Sequence, residues 1–232
     1  MKKYCFIFIC FTVLFSGVSF SQTKSSVKYI TEKTPVGFES EINAFLQKDS
    51  VLFPPYGTYL FTGSSSIAKW ENLATYFKEI PVIQRGFGGS TMKALNYYIN
   101  YIVLPYKPGT IIVYEGDNDL VDGTSPEEFI VQCDTFIRKV HSELPNTMIY
   151  FLSIKPTFAR YQYISIQVET NKQLKKLTQN RSKTGYIDIT QGMYDKEGKL
   201  RKDLFESDSL HVNKECYRIW ANHMKVAIGI PK

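Results

Sequence analysis

Residues 110–119 read TIIVYEGDND. The run opens with Thr110, Ile111, Ile112 and Val113, whose branched β-carbons restrict χ1 and suit a pleated, packed surface better than a helix. It breaks at Gly116, and the polar loop Gly116 to Asp119 follows at once. A strand that runs straight into a glycine-led polar loop predicts two things. The strand is buried, and the loop lies where a strand ends and a ligand can approach.

The same alternation extends in both directions. Upstream, Thr58 to Thr62 is a short apolar run, and a helical pattern extends from about Ile67 to Phe77. Pro81 to Gln84 is another run, followed by a helix over Thr91 to Tyr101. Downstream, Ser125-Pro126-Glu127-Glu128 combines a cap, proline at the first helical position and acids in the first turn, so a helix begins there. Thr147 to Ser153 reads as a strand, Ile164 to Asn180 as a helix, Gly185 to Ile189 as a strand and Asn213 to Ile228 as a final helix. Ahead of the first run, Gln22 to Thr34 is polar and expected to be loosely ordered. Phe38 to Gln47 carries Ile42, Phe45 and Leu46 at helical spacing, a lead-in helix ended by Pro54-Pro55. Strands alternating with helices of ten or more residues predict an α/β fold, a parallel sheet covered on both faces in a three-layer α/β/α sandwich.

The first residues form a leader. Lys2 and Lys3 precede the apolar run Tyr4 to Val18, and Ser19 and Ser21 place small residues at −3 and −1 before Gln22. This is the pattern of a secretory signal peptide cut after Ser21, and the run is shorter than the ~20 residues a membrane span needs. Cys10 lacks a lipoprotein context. The expected organisation is therefore a signal peptide over 1–21, an extension with the lead-in helix over 22–57, and one catalytic-sized domain over 58–232. Export to a periplasm or to the medium follows, with no stable membrane anchor. Cleavage would leave 211 residues and lower the formal charge from +6 to +4, since two lysines and no acids depart. That charge is mild, and the cluster Lys172, Lys175, Lys176, Arg181 and Lys183 reads as a solvated helix face, so no nucleic-acid partner is expected. Cys133 and Cys216 remain, each within a helical pattern, and read as buried thiols, although a disulfide is permitted outside the cell. No cysteine–histidine cluster has zinc spacing, and neither metal nor cofactor is expected.

Three loops that follow predicted strands are rich in glycine and small polar residues: Gly63 to Ser66, Gly86 to Ser90 and Gly116 to Asp119. Glycines let a backbone approach a substrate and aim its N–H groups. The chain has three histidines. His141 and His223 fall within helical patterns and read as packing or solvated residues. His211 lies in Asp208-Ser209-Leu210-His211, where a carboxylate three residues ahead can accept the Nδ1 proton and free Nε2 as a base; a surface pair near a helix start has the same spacing. A hydroxyl, an imidazole, a carboxylate and loop N–H groups together are equipment for acyl transfer. The pattern does not choose among Ser64, Ser65 and Ser66. Asp117 and Asp119, without further clustered ligands, read as solvated or backbone-paired carboxylates.

The ordered blocks FTGSSSI, QRGFGGS, YEGDNDL and DSLH resemble those of the SGNH or GDSL-type serine hydrolases over nearly all of the chain after residue 21. The resemblance implies a flavodoxin-like fold with a five-stranded parallel sheet. It implies Ser65 as nucleophile, Gly89 and Asn118 as oxyanion donors, and Asp208 and His211 as acid and base. Ser64 stands where most members have aspartate, which bears on the hydrogen bonding of the nucleophile turn. Ser66 is expected to start the next helix.

The loop Ile154 to Tyr163 carries Lys155, Phe158, Arg160, Tyr161 and Tyr163. Its aromatic and basic side chains, Phe158, Arg160 and Tyr161 first among them, are candidates for contacting a sugar or acyl group, or else for packing on the sheet edge. The expected function is an exported esterase cleaving short acyl, above all acetyl, esters of small molecules or carbohydrates. The competing readings are a catalytically silent carbohydrate- or peptide-binding domain, and a phosphate cradle at GFGGS. The cradle lacks the lysine-bearing pattern of a nucleotide loop.

Overall fold

The computed structural model describes residues 29–230. The signal peptide expected over residues 1–21, and the part of the polar extension before Tyr29, lie outside the described residues. In chain order the elements are α1 (Glu39–Val51), β1 (Tyr59–Gly63), α2 (Ser65–Ala68), α3 (Leu73–Tyr76), β2 (Val82–Gly86), α4 (Met92–Ile102), β3 (Thr110–Tyr114), α5 (Asp117–Val121), α6 (Pro126–Glu143), β4 (Met148–Leu152), α7 (Ile164–Gln179), β5 (Thr184–Ile187) and α8 (Lys214–Ala227). The five strands form one sheet in the order β2-β1-β3-β4-β5, every pair parallel. Alternating side chains feed two cores. Leu60, Ile83, Ile111, Val113, Ile149 and Phe151 point toward α1, α4, α6 and α7. Phe61, Ile112, Tyr114 and Ile187 point toward α2, α3 and α8. This is the expected three-layer sandwich, and period-two alternation explains how one apolar run serves both faces.

The two cysteines among the described residues sit in opposite cores, Cys133 of α6 on one side of the sheet and Cys216 of α8 on the other, both as buried free thiols.

Several local expectations are corrected. The helix read across 67–77 is two short helices, because Asn72 adopts a left-handed conformation (φ 54°) and breaks it. Its apolar residues Ile67, Trp70, Leu73 and Phe77 are all buried nonetheless, which is why the spacing looked continuous. Ser66 lies inside α2, and Ser64 is its N-cap. The loop read over Gly116 to Asp119 runs into a helix, since Asp117 to Asp119 belong to α5. The polar extension is tied down where it is described: Asn43 of α1 accepts from the Ile30 amide at 2.9 Å and donates back to its carbonyl at 2.8 Å.

The lead-in helix is fixed by a buried ion pair. Arg85 of β2 donates to Asp49 of α1 and, through Nε, to the Tyr106 hydroxyl at 2.7 Å. That hydroxyl donates in turn to Asp49 at 2.5 Å. The guanidinium also lies 4.8 Å from the Tyr106 ring centre and 5.1 Å from that of Phe45. Removing one partner strands a buried charge. Asp49→Ala is expected to cost about 3–5 kcal/mol of unfolding free energy, measured by urea denaturation. A loss under about 1 kcal/mol would show that the network is not holding α1.

Candidate active site

Three strands end level with one another. Gly63 pairs in register with Gly86 on one side and with Tyr114 on the other, so the loops after β1, β2 and β3 leave from one rim. Close packing there demands glycine. A β-carbon on Gly63, whose φ is 122°, would stand 2.0 Å from the Tyr114 carbonyl oxygen, and one on Gly86 would stand 2.4 Å from the Ala68 nitrogen. Without those side chains, α2 settles onto the strand ends and Ser65 occupies its first turn.

Bonds from three directions fix α2. The Ser64 amide donates to the Tyr114 carbonyl at 3.0 Å, and the Ser64 carbonyl accepts from Ile67 and Ala68 at 2.9 and 3.0 Å. Gln84 donates to the carbonyls of Ile67 and Trp70. From α8, the Tyr217 hydroxyl donates to the Ser66 carbonyl at 3.0 Å, and its ring stacks on Trp70 at 4.6 Å. The Ser64 side chain is buried, with no hydrogen-bond partner among the described residues. The turn that carries Ser65 is thus held by backbone and neighbouring side chains, and aspartate at position 64 is not needed to close it.

Ser65 Oγ lies 3.2 Å from His211 Nε2, and His211 Nδ1 lies 2.6 Å from Asp208 Oδ2. The other carboxylate oxygen, Oδ1, accepts from the Leu210 and His211 amides, each at 2.9 Å. Hydrogen bonds from His211, first through its ring and then through its amide, hold the Asp208 pKa well below the usual carboxylate range. An ionised carboxylate at 2.6 Å requires the proton on Nδ1, which leaves the Nε2 lone pair facing the serine. Ser209, at φ 56°, makes the sharp turn that brings residues 208 and 211 together. Lys69 Nζ stands 3.3 Å from His211 Nδ1, a cation flanking the pair.

Asn118 reaches the same rim from α5. Its Nδ2 donates to the Ser90 carbonyl at 2.8 Å, and its Oδ1 accepts from Arg160 Nη2 at 2.8 Å. Those two bonds fix the orientation of the amide and leave the second Nδ2 hydrogen without a partner among the described residues. Gly89, at φ 82°, turns the neighbouring loop. A β-carbon on Gly88 would lie 3.9 Å from Ser65 Cβ, so this loop runs directly beside the serine.

The two aspartates flanking Asn118 are both buried. Asp119 is backbone-paired, one of the two alternatives the sequence left open, whereas Asp117 is held by side chains, which corrects the reading of that residue. Asp117 meets Lys155 at 2.7 Å and Arg160 at 3.5 Å, with the Tyr114 hydroxyl at 3.2 Å. Burial works to raise its pKa, but the Lys155 and Arg160 cations prevail and hold it below the ordinary value. Asp119 accepts from the Met92 and Gly116 amides at 2.8 and 3.0 Å. Behind them Glu115 accepts from Ser90 Oγ at 2.6 Å. Asp119 and Glu115 therefore staple the second loop to the third, and Asp117 ties the third to the loop after β4.

The loop 154–163 also differs from expectation. Lys155 is fully buried against Asp117 and Tyr114, so it faces no substrate. Arg160 orients Asn118, and the Ala159 amide donates to the Ser209 carbonyl at 3.1 Å, linking this loop to the Asp208–His211 turn. Phe158 packs edge-on against Phe205 with ring centres 5.5 Å apart, while Tyr161 is largely exposed. Sequence reasoning missed Ser90 as the joint between loops, and the only cue was its place directly after the paired glycines.

The GDSL-like Lipase/Acylhydrolase family model matches residues 55–219. The chain belongs to this family. It is accordingly a serine hydrolase acting on ester bonds. Comparison with curated proteins finds no match. Among solved structures, a protein from Bacteroides fragilis described as an acylhydrolase is 20% identical, with a TM-score of 0.70 over 85% of this chain and 98% of that one. A GDSL-like lipase from Bacteroides thetaiotaomicron is 16% identical, with a TM-score of 0.66 over 81% and 97%. A catalytic mutant of an acetylxylan esterase from Geobacillus stearothermophilus is 12% identical, with a TM-score of 0.63 over 76% and 96%. At these identities the likeness shows a shared fold, the five-stranded parallel sheet with helices on both faces.

Burial, and next the neighbouring Asp119, push the Glu115 pKa well above the carboxylate range, and burial lifts that of Asp119 to about 6. Both groups take up protons on folding, so their contribution to stability falls as pH rises from their ordinary values, 3.8 for Asp119 and 4.5 for Glu115, through the folded ones, by up to about 1.4 kcal/mol per pH unit for each proton. Glu115→Gln keeps an acceptor for Ser90 and carries no charge. It is expected to flatten the decline in melting temperature between about pH 5 and pH 8, read by differential scanning calorimetry. An unchanged slope would mean that Glu115 is ionised in the folded protein throughout that range.

Proposed function

We propose that this esterase uses Ser65 as nucleophile, His211 as general base and Asp208 as the group that orients it. The observation that carries the reading is the continuous chain from Ser65 Oγ through the imidazole to Asp208, 3.2 and 2.6 Å. Serine is a poor nucleophile at neutral pH, and an aligned imidazole lone pair is what activates it. Ser65 Oγ attacks the ester carbonyl carbon while its proton passes to His211 Nε2. The carbonyl oxygen, now an oxyanion, accepts from the Ser65 amide, the Gly89 amide and Asn118 Nδ2. As the bond to the alcohol breaks, His211 returns its proton to the leaving oxygen, and an acyl-serine remains. Water then adds to that acyl group with His211 taking its proton, and the acid departs as Ser65 is restored.

The substrate we propose is a short-chain acyl ester, acetyl above all, on a small molecule or a carbohydrate, met outside the cytoplasm after removal of residues 1–21. Support comes from the acetylxylan esterase fold among the neighbours and from the loop 154–163. That loop folds back to clamp the site through Arg160 and Ala159, leaving Tyr161 exposed beside it. We assign Phe158 and Tyr161 to the rim that meets the alcohol portion of the substrate, and Arg160 to holding Asn118.

Two experiments test this reading. A fluorophosphonate probe is expected to label the folded protein at Ser65, identified by peptide mass spectrometry, and Ser65→Ala is expected to abolish labelling. A folded wild-type protein that stays unlabelled would refute the nucleophile. Asn118→Ala is expected to lower turnover of p-nitrophenyl acetate about a hundredfold, as loss of one oxyanion donor does, with little loss of folding: the protein still unfolds cooperatively at a melting temperature only slightly lowered by the loss of its bonds to Ser90 and Arg160. Wild-type rates in the variant would remove Asn118 from the oxyanion site.

A further inference from the structure

We propose that Phe38, which lies ahead of the family-matched region, is a positioning residue that holds the Gly88–Gly89 turn in its donating conformation. The proposal rests on the reading of Gly89 as an oxyanion donor.

Phe38 occupies a backbone conformation that suits it poorly. Its φ is 72°, directly after Gly37 at 73°, and bulky side chains rarely adopt the left-handed region. Such outliers persist only where surrounding contacts over-determine them, and they concentrate at functional sites. The contacts are present. The Gly37 carbonyl accepts from the Tyr98 hydroxyl and from Thr34 Oγ1, the latter at 3.2 Å, while Thr34 Oγ1 and the Tyr98 hydroxyl lie 2.7 Å apart. The Thr34 amide donates to Glu39, and the Phe38 carbonyl accepts from Ile42 at 3.0 Å in the first turn of α1. None of these bonds uses the Phe38 side chain, so they account for the backbone and not for the choice of an aromatic ring.

The ring is spent on the catalytic rim. It meets Phe87 edge-on, with centres 5.2 Å apart. Its Cε1 lies 3.9 Å from where a Gly89 β-carbon would stand. Phe87 to Ser90 is a tight turn closed by the Ser90 amide on the Phe87 carbonyl at 3.3 Å, with Gly88 and Gly89 at its centre. The Gly88 side of the turn faces Ser65 and the Gly89 side faces Phe38, each with space for about one β-carbon between them, and the ring touches the turn directly at Phe87. Two adjacent glycines are otherwise the most freely rotating pair a chain can contain. An N–H that must point at a developing charge gains its effect from being aimed beforehand. The ring supplies the restraint that the glycines lack.

The test compares Phe38→Ala, Phe38→Gly and Phe38→Tyr on p-nitrophenyl acetate and p-nitrophenyl butyrate, with melting temperatures alongside. Glycine relieves the left-handed backbone while deleting the ring, so its stability is expected to match or exceed that of the alanine variant. Both truncations are expected to lower kcat about tenfold or more on either ester while KM changes less than about twofold, the loss expected when a donor is misplaced. Phe38→Tyr is expected to restore turnover to near wild type. Unchanged kcat in both truncations, a loss that follows melting temperature, or a gain confined to the longer acyl chain would each overturn the proposal; the last would make Phe38 a wall of the acyl pocket. Fluorophosphonate labelling of Ser65 in wild-type protein separates the outcomes. Absence of labelling there rejects the underlying mechanism, whereas normal labelling with indifferent Phe38 variants rejects this inference alone.

Discussion

The level ending of three parallel strands is the constraint from which the site follows. Gly63, Gly86 and Tyr114 lie in one register row, so three loops far apart in the chain begin at the same height. The strand order reverses direction around β1, whose chain continues to β2 on one side while β3 lies on the other. At such a switch point neighbouring loops diverge toward opposite faces and leave a crevice between them. Ser65 and Asn118 come from the two loops that border this crevice. A side chain on Gly63 or Gly86 would meet backbone atoms far inside contact distance and force β1 from β3, or α2 from β2. The sheet would survive such a shift better than the alignment of the groups above it.

Polar burial then fixes what the backbone has gathered. Beneath the rim, Glu115, Asp117 and Asp119 are nearly or fully inaccessible. Each is satisfied differently: Asp117 by cations, Asp119 by backbone amides, and Glu115 by Ser90 together with a raised pKa. Buried charges are costly unless paired, and here the pairing partners belong to separate loops. Lys155 comes from beyond β4, Met92 from the start of α4 and Ser90 from beyond β2. The cost of burying these groups is thus converted into a defined spacing between the loop that holds Gly89 and the helix that holds Asn118. The loop 154–163 extends the same principle to the histidine, since one short segment bonds Asn118 through Arg160 and the Asp208–His211 turn through Ala159.

Much of the architecture was legible in the sequence because the signals were local and repeated. β-branched runs gave the strands, the capped Ser125-Pro126 start gave α6, and glycine loops marked the rim. The break at Asn72 was not legible, since apolar residues continue on a helical period across it and tertiary burial, not helix continuity, explains them. Asp117 looked solvated because its partner Lys155 is 38 positions away and no local pattern connects them. At the site, the spacing of Asp208 and His211 suggested their pairing, but the choice of Ser65 among three serines came from family likeness. The reason is now physical. Ser64 and Ser66 are buried under Tyr114 and Tyr217 contacts, and Ser65 alone faces the imidazole. The role proposed for Phe38 was not legible for the same reason as the burial of Lys155: each depends on what folds against the residue.

The most direct measurement of the central claim is a crystal structure of the protein after reaction with a small fluorophosphonate. The account predicts phosphorus bonded to Ser65 Oγ, with one phosphonyl oxygen about 2.7–3.1 Å from the Ser65 amide, the Gly89 amide and Asn118 Nδ2, and His211 Nε2 facing the serine oxygen. An adduct on another residue, or a phosphonyl oxygen turned to solvent away from all three donors, would contradict it.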